Sequence, residues 1–485
     1  MPAEAITPRA LRLNVRLTLS ALALATLAAC ASYTNEATKG QMLDAAAVGL
    51  AGSAAKIDAE WWHGFGDAQL DTLVAQALAN NPSIKVAQAR LARVQAGYDN
   101  VRGNDSPTLG VGADLTHQKF SSNFIYPPPL GGAILDTGTL QANTSWELDL
   151  FGKNRTALES AIGQVRAAEA DAQAARMLLA SNVARSYFQW VRINAQLDVA
   201  QRTLDQREQS KKLVQDRLTA GLDTQLELQQ SEGSLPDARL QIEILKEQQT
   251  LTLNALAALT GQQKSPPTLV VKAQAAIKSV ASATTIPMDL LGRRADITAA
   301  RWRVEAASQD VGNAKTLFYP NINLVAFAGF QSIGFDKLIQ SGSQQWGVGP
   351  AIRLPIFEGG KLRANLRGKS ADLTAAIESY NATVIDAVRD VADQLASSQA
   401  IARQQTEQAS AQASAETAYS IALQRYKAGL GTYLNVLSAE TSVLAQRRQG
   451  VDLAARALDT QVQLIRALGG GYAADNSAIA TASKS

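Results

Sequence analysis

Few side chains in this 485-residue chain could do chemistry. The sequence holds two histidines, His63 and His117, and a single cysteine, Cys30. The histidines are far apart in the sequence, so neither is expected to act as a base or a metal ligand. Gly359 and Gly360 begin a helix after a strand, but without the lysine and hydroxyl pattern of a phosphate-binding loop. We therefore expect no catalytic residue, no metal site, no cofactor and no enzymatic activity.

Cys30 ends a pattern that is typical of a lipoprotein signal. The apolar run LTLSALALATLAA follows Arg9, Arg12 and Arg16, and it is too short to span a bilayer. It ends in Leu27-Ala28-Ala29-Cys30, which resembles a bacterial lipobox, whose cysteine is lipidated and becomes the new N-terminus. Position 31 is alanine, whereas aspartate there favours inner-membrane retention in similar lipoproteins. The pattern predicts a signal peptide at 1–29 and an outer-membrane lipid anchor at Cys30; a chance cysteine near a cleavage site is the alternative.

The balance of charge gives no support to nucleic-acid binding. The chain has 46 basic and 43 acidic residues, a formal net charge of +3. Residues 1–29 contain three arginines and one glutamate, so the remainder has 43 basic and 42 acidic residues, a net charge of +1. Domains that bind nucleic acid are usually far more basic.

The stretch DTGTLQANTSWELDLFGKN, residues 136–154, alternates between apolar and polar positions. One parity carries Leu140, Ala142, Thr144, Trp146, Leu148 and Leu150, and the other carries Thr139, Gln141, Asn143, Ser145, Glu147 and Asp149. This period of two predicts a strand at about 137–150 with one apolar side and one wet side. Similar alternation predicts strands at about 106–118, 320–331 and 344–357, each long enough to cross a membrane as a β-strand.

The strands belong to a plan that occurs twice. NNPSIKVAQARL (80–91) is echoed by RRADITAARWRV (293–304), and each opens a helix that runs to a proline, Pro107 or Pro320. Two strands and a very long helical hairpin follow in each copy. The hairpins are predicted to be antiparallel coiled coils, on the order of 100 Å long. The predicted organisation is an extension at 30–66, a first repeat at 67–265 with its hairpin at 153–261, a linker at 266–292, a second repeat at 293–470 with its hairpin at 360–469, and a flexible tail at 471–485.

Four strands are too few to close a barrel, because the smallest ordinary membrane barrel has eight, and open strand edges are not tolerated in lipid. Several protomers are therefore expected to pool their strands: two would give eight strands and three would give twelve. Periodicity alone does not choose between these numbers. A soluble sheet packed on helices is the alternative.

The mature chain resembles the TolC-like outer-membrane efflux factors, most closely their lipoprotein branch. The resemblance begins at WWHGFGDAQLDTLVAQALANNPSI (61–84) and continues through the duplicated strand–loop–strand pattern and the paired R-x-x-A-G-L turns. It implies a mainly α fold with a β-barrel contribution, in which a homotrimer closes a twelve-stranded barrel in the outer membrane of a Gram-negative bacterium. An α-helical barrel would continue it across the periplasm. The implied function is a passive efflux duct for drugs or other small molecules, joined to a periplasmic adaptor and an inner-membrane transporter.

The resemblance also assigns roles to the tips of the two hairpins. Six residues are predicted to contact the adaptor, namely Arg217, Gly221 and Leu222 in the first copy and Arg425, Gly429 and Leu430 in the second. Gly221 and Gly429 could take the left-handed conformation that ends a helix. Related proteins close the periplasmic end with polar and ionic links between hairpins, so the predicted gate residues are Glu227, Tyr426, Asn435 and Ser438. Asn435 and Ser438 stand where relatives often carry acids; the alternative is that both face a neighbouring helix.

Two functions other than efflux stay open at this point. A type I protein-secretion duct would use the same fold, and a structural periplasmic coiled-coil lipoprotein would have no channel. Pro236 has no assigned role: it lies inside the predicted return helix of the first hairpin, which it is expected to kink or to deprive of a hydrogen bond.

Overall fold

A computed structural model describes residues 40–44, 57–123, 125–262, 268–274, 277 and 293–472. The predicted signal peptide, Cys30, most of the linker and nearly all of the tail lie outside the described residues. The fold is mainly α with one β-sheet, which confirms the predicted fold class. No helix in the described ranges combines the length and the apolar character needed to cross a membrane.

The elements follow one another in two similar series. The first series is α1 (Ala68–Asn80), α2 (Pro82–Gly103), β1 (Thr108–Lys119), β2 (Ile134–Leu148), α3 (Lys153–Thr219) and α4 (Gln225–Leu259). The second is α5 (Ala295–Thr316), β3 (Asn321–Ile333), β4 (Gln344–Arg353), α6 (Lys361–Lys427) and α7 (Tyr433–Ala467). α3 and α6 have 67 residues each, and the return helices α4 and α7 have 35 each. The two series therefore agree in the order of their elements and in the lengths of their long helices.

The chain divides into two compact units. The sheet unit comprises the described parts of 1–42, 92–167 and 301–379, and the hairpin unit comprises those of 43–91, 168–300 and 380–485. All four strands belong to the sheet unit and pair antiparallel in the order β1-β2-β3-β4. The hairpin unit contains the main core, where a short 3₁₀ turn at Trp61–Phe65 buries its aromatic rings against Tyr187, Phe188 and Trp190.

Strand pairing places the predicted apolar positions of all four strands on one face. Val111 pairs with Ala142, Ala142 with Ala328, and Ala326 with Val348. Residues paired across a sheet point to the same side, so the odd positions of β1 and the even positions of the other strands share a face. Leu109, Val111, Leu115, Trp346, Val348 and Ile352 on this face are all exposed in the protomer. The opposite face is mostly polar, although Val325 and Phe327 also lie on it.

One strand end differs from the sequence prediction. β4 ends at Arg353 rather than at 357, because Arg353 pairs with Asn321, the first residue of β3, and this chain offers no described partner for 354–357. Pro236 lies within α4, and the helix is continuous from Gln225 to Leu259. The guanidinium of Arg207 donates to the carbonyl of Ser234, 2.7 Å away, so a side chain from α3 binds the backbone beside the proline.

The start of α1 is fixed by one buried acid. Asp67 caps the helix by accepting from the backbone N–H of Gln69, and it also accepts from the Tyr187 hydroxyl at 2.5 Å and from Lys272 at 2.7 Å. Burial raises the pKa of Asp67, but the hydrogen bonds from Lys272, Tyr187 and Gln69 outweigh it and hold this pKa below its usual value. This network attaches the segment 268–274 to the first helix.

Candidate functional site

Each of the two histidines is paired with an acid. His63 lies in the hairpin unit and forms ion pairs with Glu60 and Asp71, which raise its pKa, the hydrogen bond to Asp71 contributing most. His117 lies on β1 in the sheet unit, 2.7 Å from Asp136 of β2. Within the described ranges, no three His, Cys, Asp or Glu residues are arranged to hold a metal ion. The candidate site is the pair of hairpin tips, at 217–227 and 425–438, where the sequence predicts the adaptor contacts and the gate.

Both tips turn in the same way. Gly221 and Gly429 have φ of 73° and 74°, the left-handed conformation that glycine adopts without strain. The N–H of Leu222 donates to the carbonyl of Arg217, and the N–H of Gly221 donates to that of Leu218. Leu430 and Gly429 repeat the two bonds. This is the Schellman motif, which satisfies the last carbonyls of a helix.

The return helices begin differently. Thr224 and Glu227 form a capping box in the first tip: the Thr224 hydroxyl accepts from the N–H of Leu226, and the Glu227 carboxylate accepts from the N–H of Thr224 at 2.9 Å. The hydrogen bond from the Thr224 side chain is the main cause of the lowered pKa of Glu227. In the second tip, Thr432 makes no capping hydrogen bond with its side chain to any described residue. Glu227 therefore has a structural task in its own hairpin.

A buried acid ties the first tip to the second. Asp223 accepts from Nε and Nη2 of Arg217 at 3.1 and 3.3 Å, and its carboxylate also accepts from the hydroxyl of Tyr426. The Asp223 side chain is 7% exposed and that of Arg217 is 12% exposed. The Arg217 guanidinium also lies 4.5 Å above the ring of Tyr426. Burial and the bond to Asp223 raise the pKa of Tyr426, so its hydroxyl stays protonated and keeps donating.

The predicted tip residues thus fall into two groups. Arg217, Tyr426 and Glu227 are engaged inside the protomer, whereas Leu222 and Leu430 are 65% and 69% exposed. Leu222 and Leu430 stand at the Schellman position whose side chain usually packs on an apolar residue in the last turn of the helix. In both copies that helix residue is an arginine, Arg217 or Arg425. Arg425 donates to the carbonyl of Leu430 at 3.3 Å. Asn435 and Ser438 are exposed on the first turns of α7.

Asp223 is the tip residue that sequence reasoning missed. The first tip reads RLTAGLDT and the second reads RYKAGLGT, so Asp223 corresponds to Gly431 and Tyr426 corresponds to Leu218. Each copy has a polar side chain where the other has none, and these two side chains bind each other. The sequence signal that could have identified this contact is the difference between two otherwise similar turns, an acid in one and a tyrosine in the other.

A second buried pair lies further along the hairpins. Arg207 of α3 donates to Glu440 of α7 at 3.0 Å, and both side chains are largely buried. Burial, followed by the charge of Glu440, raises the pKa of the neighbouring Tyr433 to about 12. The two hairpins are therefore joined at the tips by the hydrogen bond from Tyr426 to Asp223, and along their length by ion pairs that include Arg207–Glu440, Arg192–Asp452 and Arg185–Asp459.

Comparison with known proteins identifies the family of this chain. The family model for outer membrane efflux proteins matches residues 73–262 and 286–470. The chain is 32% identical over 433 residues to the multidrug resistance outer membrane protein MdtQ of Escherichia coli O157:H7, with 86% of this chain and 88% of that protein covered. It is 36% identical over 369 residues to the fusaric acid resistance protein FusA of Burkholderia cepacia, with 73% and 69% covered.

Solved structures share the fold. The outer membrane protein VceC of Vibrio cholerae is similar with a TM-score of 0.79 at 36% identity, over 85% of this chain and 99% of that one. The outer-membrane channel OprN is similar with a TM-score of 0.80 at 27% identity, over 90% and 98%.

Proposed function

Because this chain belongs to the outer membrane efflux protein family, we propose that three copies of it form one continuous duct, from the outer membrane of a Gram-negative bacterium to a periplasmic adaptor and an inner-membrane pump. The protein is an outer-membrane efflux channel component and not an enzyme. The number of copies, the anchor and the docking surface are the proposed parts.

The proposal of a closed duct rests on the two different faces of the sheet. One of its faces is apolar across all four strands, and the other is mostly polar. Lipid on the first face and water on the second would satisfy both. Three protomers would contribute twelve strands and leave no edge in the lipid.

The cargo that we propose is a class of small organic drugs. The similar proteins are named for multidrug resistance and for fusaric acid resistance. The duct itself would be passive, with the energy supplied by the inner-membrane pump.

The hairpin tips are the proposed adaptor surface. Leu222 and Leu430 are apolar, exposed and presented by identical turns, which suits two similar contacts per protomer. Arg217, Gly221, Arg425 and Gly429 would hold these turns in shape. The proposed gate is at the same end, with Tyr426 and Glu227 fixing the tips and Asn435 and Ser438 lining the aperture.

Lipidation of Cys30 is the proposed anchor, supported by the sequence Leu27–Cys30 alone. Diacyl and N-acyl chains together would hold the protein firmly, since two chains already suffice for stable attachment.

Single-channel recording of the purified full-length protein in a planar bilayer tests the proposed duct. We expect discrete conductance steps from a trimeric fraction. A trimer that inserts but never conducts would contradict the duct, because only a closed barrel with a wet interior passes ions. Conductance that appears only in a dimeric fraction would contradict the threefold assembly.

A further inference from the structure

A cavity of about 630 Å³ lies in the hairpin unit. Its wall is formed by residues within four stretches of one protomer, 59–62, 173–180, 294–296 and 466–472, together with Leu78 of α1. The second stretch belongs to α3, the third contains the start of α5 and the fourth contains the end of α7. Pockets that bind small molecules usually enclose about 300–1,000 Å³, so this cavity has the size of a ligand site.

The apolar part of the wall is rich in aromatic carbon. It consists mainly of Trp61, Trp62, Leu78, Met177 and Leu178. The indole N–H of Trp61 donates to the sulfur of Met177 at 3.2 Å, and the rings of Trp61 and Trp62 meet edge to face with their centroids 5.7 Å apart. These contacts hold both rings in place without a ligand. Indole rings and a thioether both favour contact with a further aromatic ring.

Three consecutive glycines form the wall just after α7. Gly469–Gly471 have φ of 96°, 57° and 79°, all in the left-handed region. A Cβ on these glycines would collide, in chain order, with the carbonyl of Arg293, the side chain of Met177 and the backbone at Asp58. Only glycine lets the chain pass so close to all three, so this side of the cavity is tightly packed and fixed in shape.

Three of the five charged residues in the wall already have an ionic partner. Asp296 accepts from Nε and Nη2 of Arg294 at 3.0 and 2.7 Å. Glu60 forms an ion pair with His63, 3.2 Å away. Both acids of the wall are therefore engaged by bases other than the two that remain, Arg176 and Arg466.

Arg176 of α3 and Arg466 of α7 are exposed, and neither forms an ion pair with any residue that the structure describes. Two ion pairs set the register of these antiparallel helices, namely Arg185–Asp459 and Arg192–Asp452. The residue numbers of each pair add to 644, which sets Arg466 level with Leu178. Arg176 is two residues from that level, about 3 Å along the helix axis. The two unpaired guanidinium groups thus belong to the same level of adjacent helices.

A base at the end of a helix can instead serve the last carbonyls of that helix. At the end of α7 these carbonyls already accept from the N–H groups of Leu468, Gly469 and Gly470. The guanidinium of Arg466 makes no hydrogen bond to them or to any other described residue. Its charge is therefore available to a ligand.

We propose that this cavity binds a small organic anion with an aromatic body. The acidic group pairs with Arg176 and Arg466, because a guanidinium binds a carboxylate through two parallel hydrogen bonds. The aromatic body lies against Trp61, Met177 and Leu178. Every wall residue belongs to one protomer, so the site does not depend on the proposed threefold assembly.

Two probes with the same ring system test the site, 2-naphthoate and its neutral counterpart 2-naphthamide. Each is titrated by calorimetry into the purified full-length protein in lipid nanodiscs, with empty nanodiscs as the blank for partition into lipid. We expect saturable binding of 2-naphthoate, one molecule per protomer, at least about tenfold tighter than that of 2-naphthamide. A hydrogen bond to a charged group contributes a factor of about ten or more.

Substitutions separate recognition of the charge from recognition of the rings. Arg176→Gln and Arg466→Gln should each weaken the binding of 2-naphthoate about tenfold and leave that of 2-naphthamide unchanged. Arg448→Gln is the matched control, because Arg448 is an exposed arginine on the same helix, 18 residues (466 − 448) before Arg466. Ala174→Trp, which fills part of the cavity, should weaken the binding of both probes.

Equal affinities for the two probes would overturn the recognition of an anion, as would a loss in Arg448→Gln as large as that in Arg466→Gln. Undiminished binding in Ala174→Trp would overturn the cavity as the site of binding. If 2-naphthoate shows no saturable binding to protein that still conducts, the ligand site is refuted and the proposed function stands. Absence of conductance would instead contradict the proposed function, whatever the calorimetry shows.

Discussion

Removing the Asp223 carboxylate should release the first hairpin tip from the second. Asp223→Ala takes away the acceptor for two N–H groups of Arg217 and for the hydroxyl of Tyr426. A buried hydroxyl that loses its partner costs about 1–3 kcal/mol. A buried ion pair that loses one member costs about 3–5 kcal/mol. Arg217 keeps some solvent contact and its place over the Tyr426 ring, a contact of about 0.5–2 kcal/mol, so the ionic share is smaller.

We therefore expect a local loss of about 2–4 kcal/mol at the tips. Each 1.4 kcal/mol is a factor of ten in an equilibrium constant, so the tips should open about 30 to 700 times more often. Hydrogen exchange at the amides of Leu222 and Leu430 reports this directly, because both amides are bonded in the turns. The closed-state conductance should rise in the same variant, since the proposed gate is at this end.

Asp216→Asn is the matched control, because Asp216 is an exposed acid one turn before the same tip. It should leave exchange and conductance unchanged. If the exchange rates in Asp223→Ala stay within about threefold of those in the unmodified protein, the carboxylate does not join the tips. A threefold change in rate corresponds to less than about 1 kcal/mol.

Four further perturbations test other parts of the molecule. Leu222→Asp should fold normally and yet reduce adaptor cross-linking and drug resistance, because the side chain is exposed; unchanged resistance would contradict docking there. Asn435→Asp with Ser438→Asp should make the channel easier to block with a trivalent cation, because carboxylates attract polyvalent ions strongly in a narrow pore; equal block would show that these positions do not line it. The pKa of Asp67 is lowered on folding, so its contribution to stability is present above about pH 4, the unfolded value, and is lost as the pH falls further; Asp67→Asn should flatten the melting temperature across that range. Cys30→Ala should abolish labelled palmitate incorporation, and incorporation that survives would refute the anchor.

Periodicity was sufficient to predict the faces of the strands. Alternation assigned Leu140 and Val348 to the apolar side, and strand pairing puts both on one continuous face. The glycine turns were also predictable, because Gly221 and Gly429 follow long helices without an internal stop. Such local patterns state which way a side chain points and where a helix ends.

Partners that are distant in the sequence were not predictable in this way. Asp223 and Tyr426 are 203 positions apart, and the pattern around either residue carries no record of the other. The sequence predicts Tyr426 as a gate residue but does not indicate its contacts within the protomer, where it is 1% exposed and binds Asp223. The end of β4 was predicted from alternation, but a strand also needs hydrogen-bonding partners, and β3 supplies none beyond Arg353.

The bond between Asp223 and Tyr426 has a consequence for the history of the chain. An acid in one copy of a duplicated turn and a phenol in the other make the copies interdependent. Two copies of the first turn would bring two carboxylates and no phenol, and two copies of the second would bring two tyrosines and no carboxylate. A short ancestor that carried a single repeat could not have made this contact with itself. The contact therefore requires that both versions of the turn be present side by side, as they are in this duplicated chain.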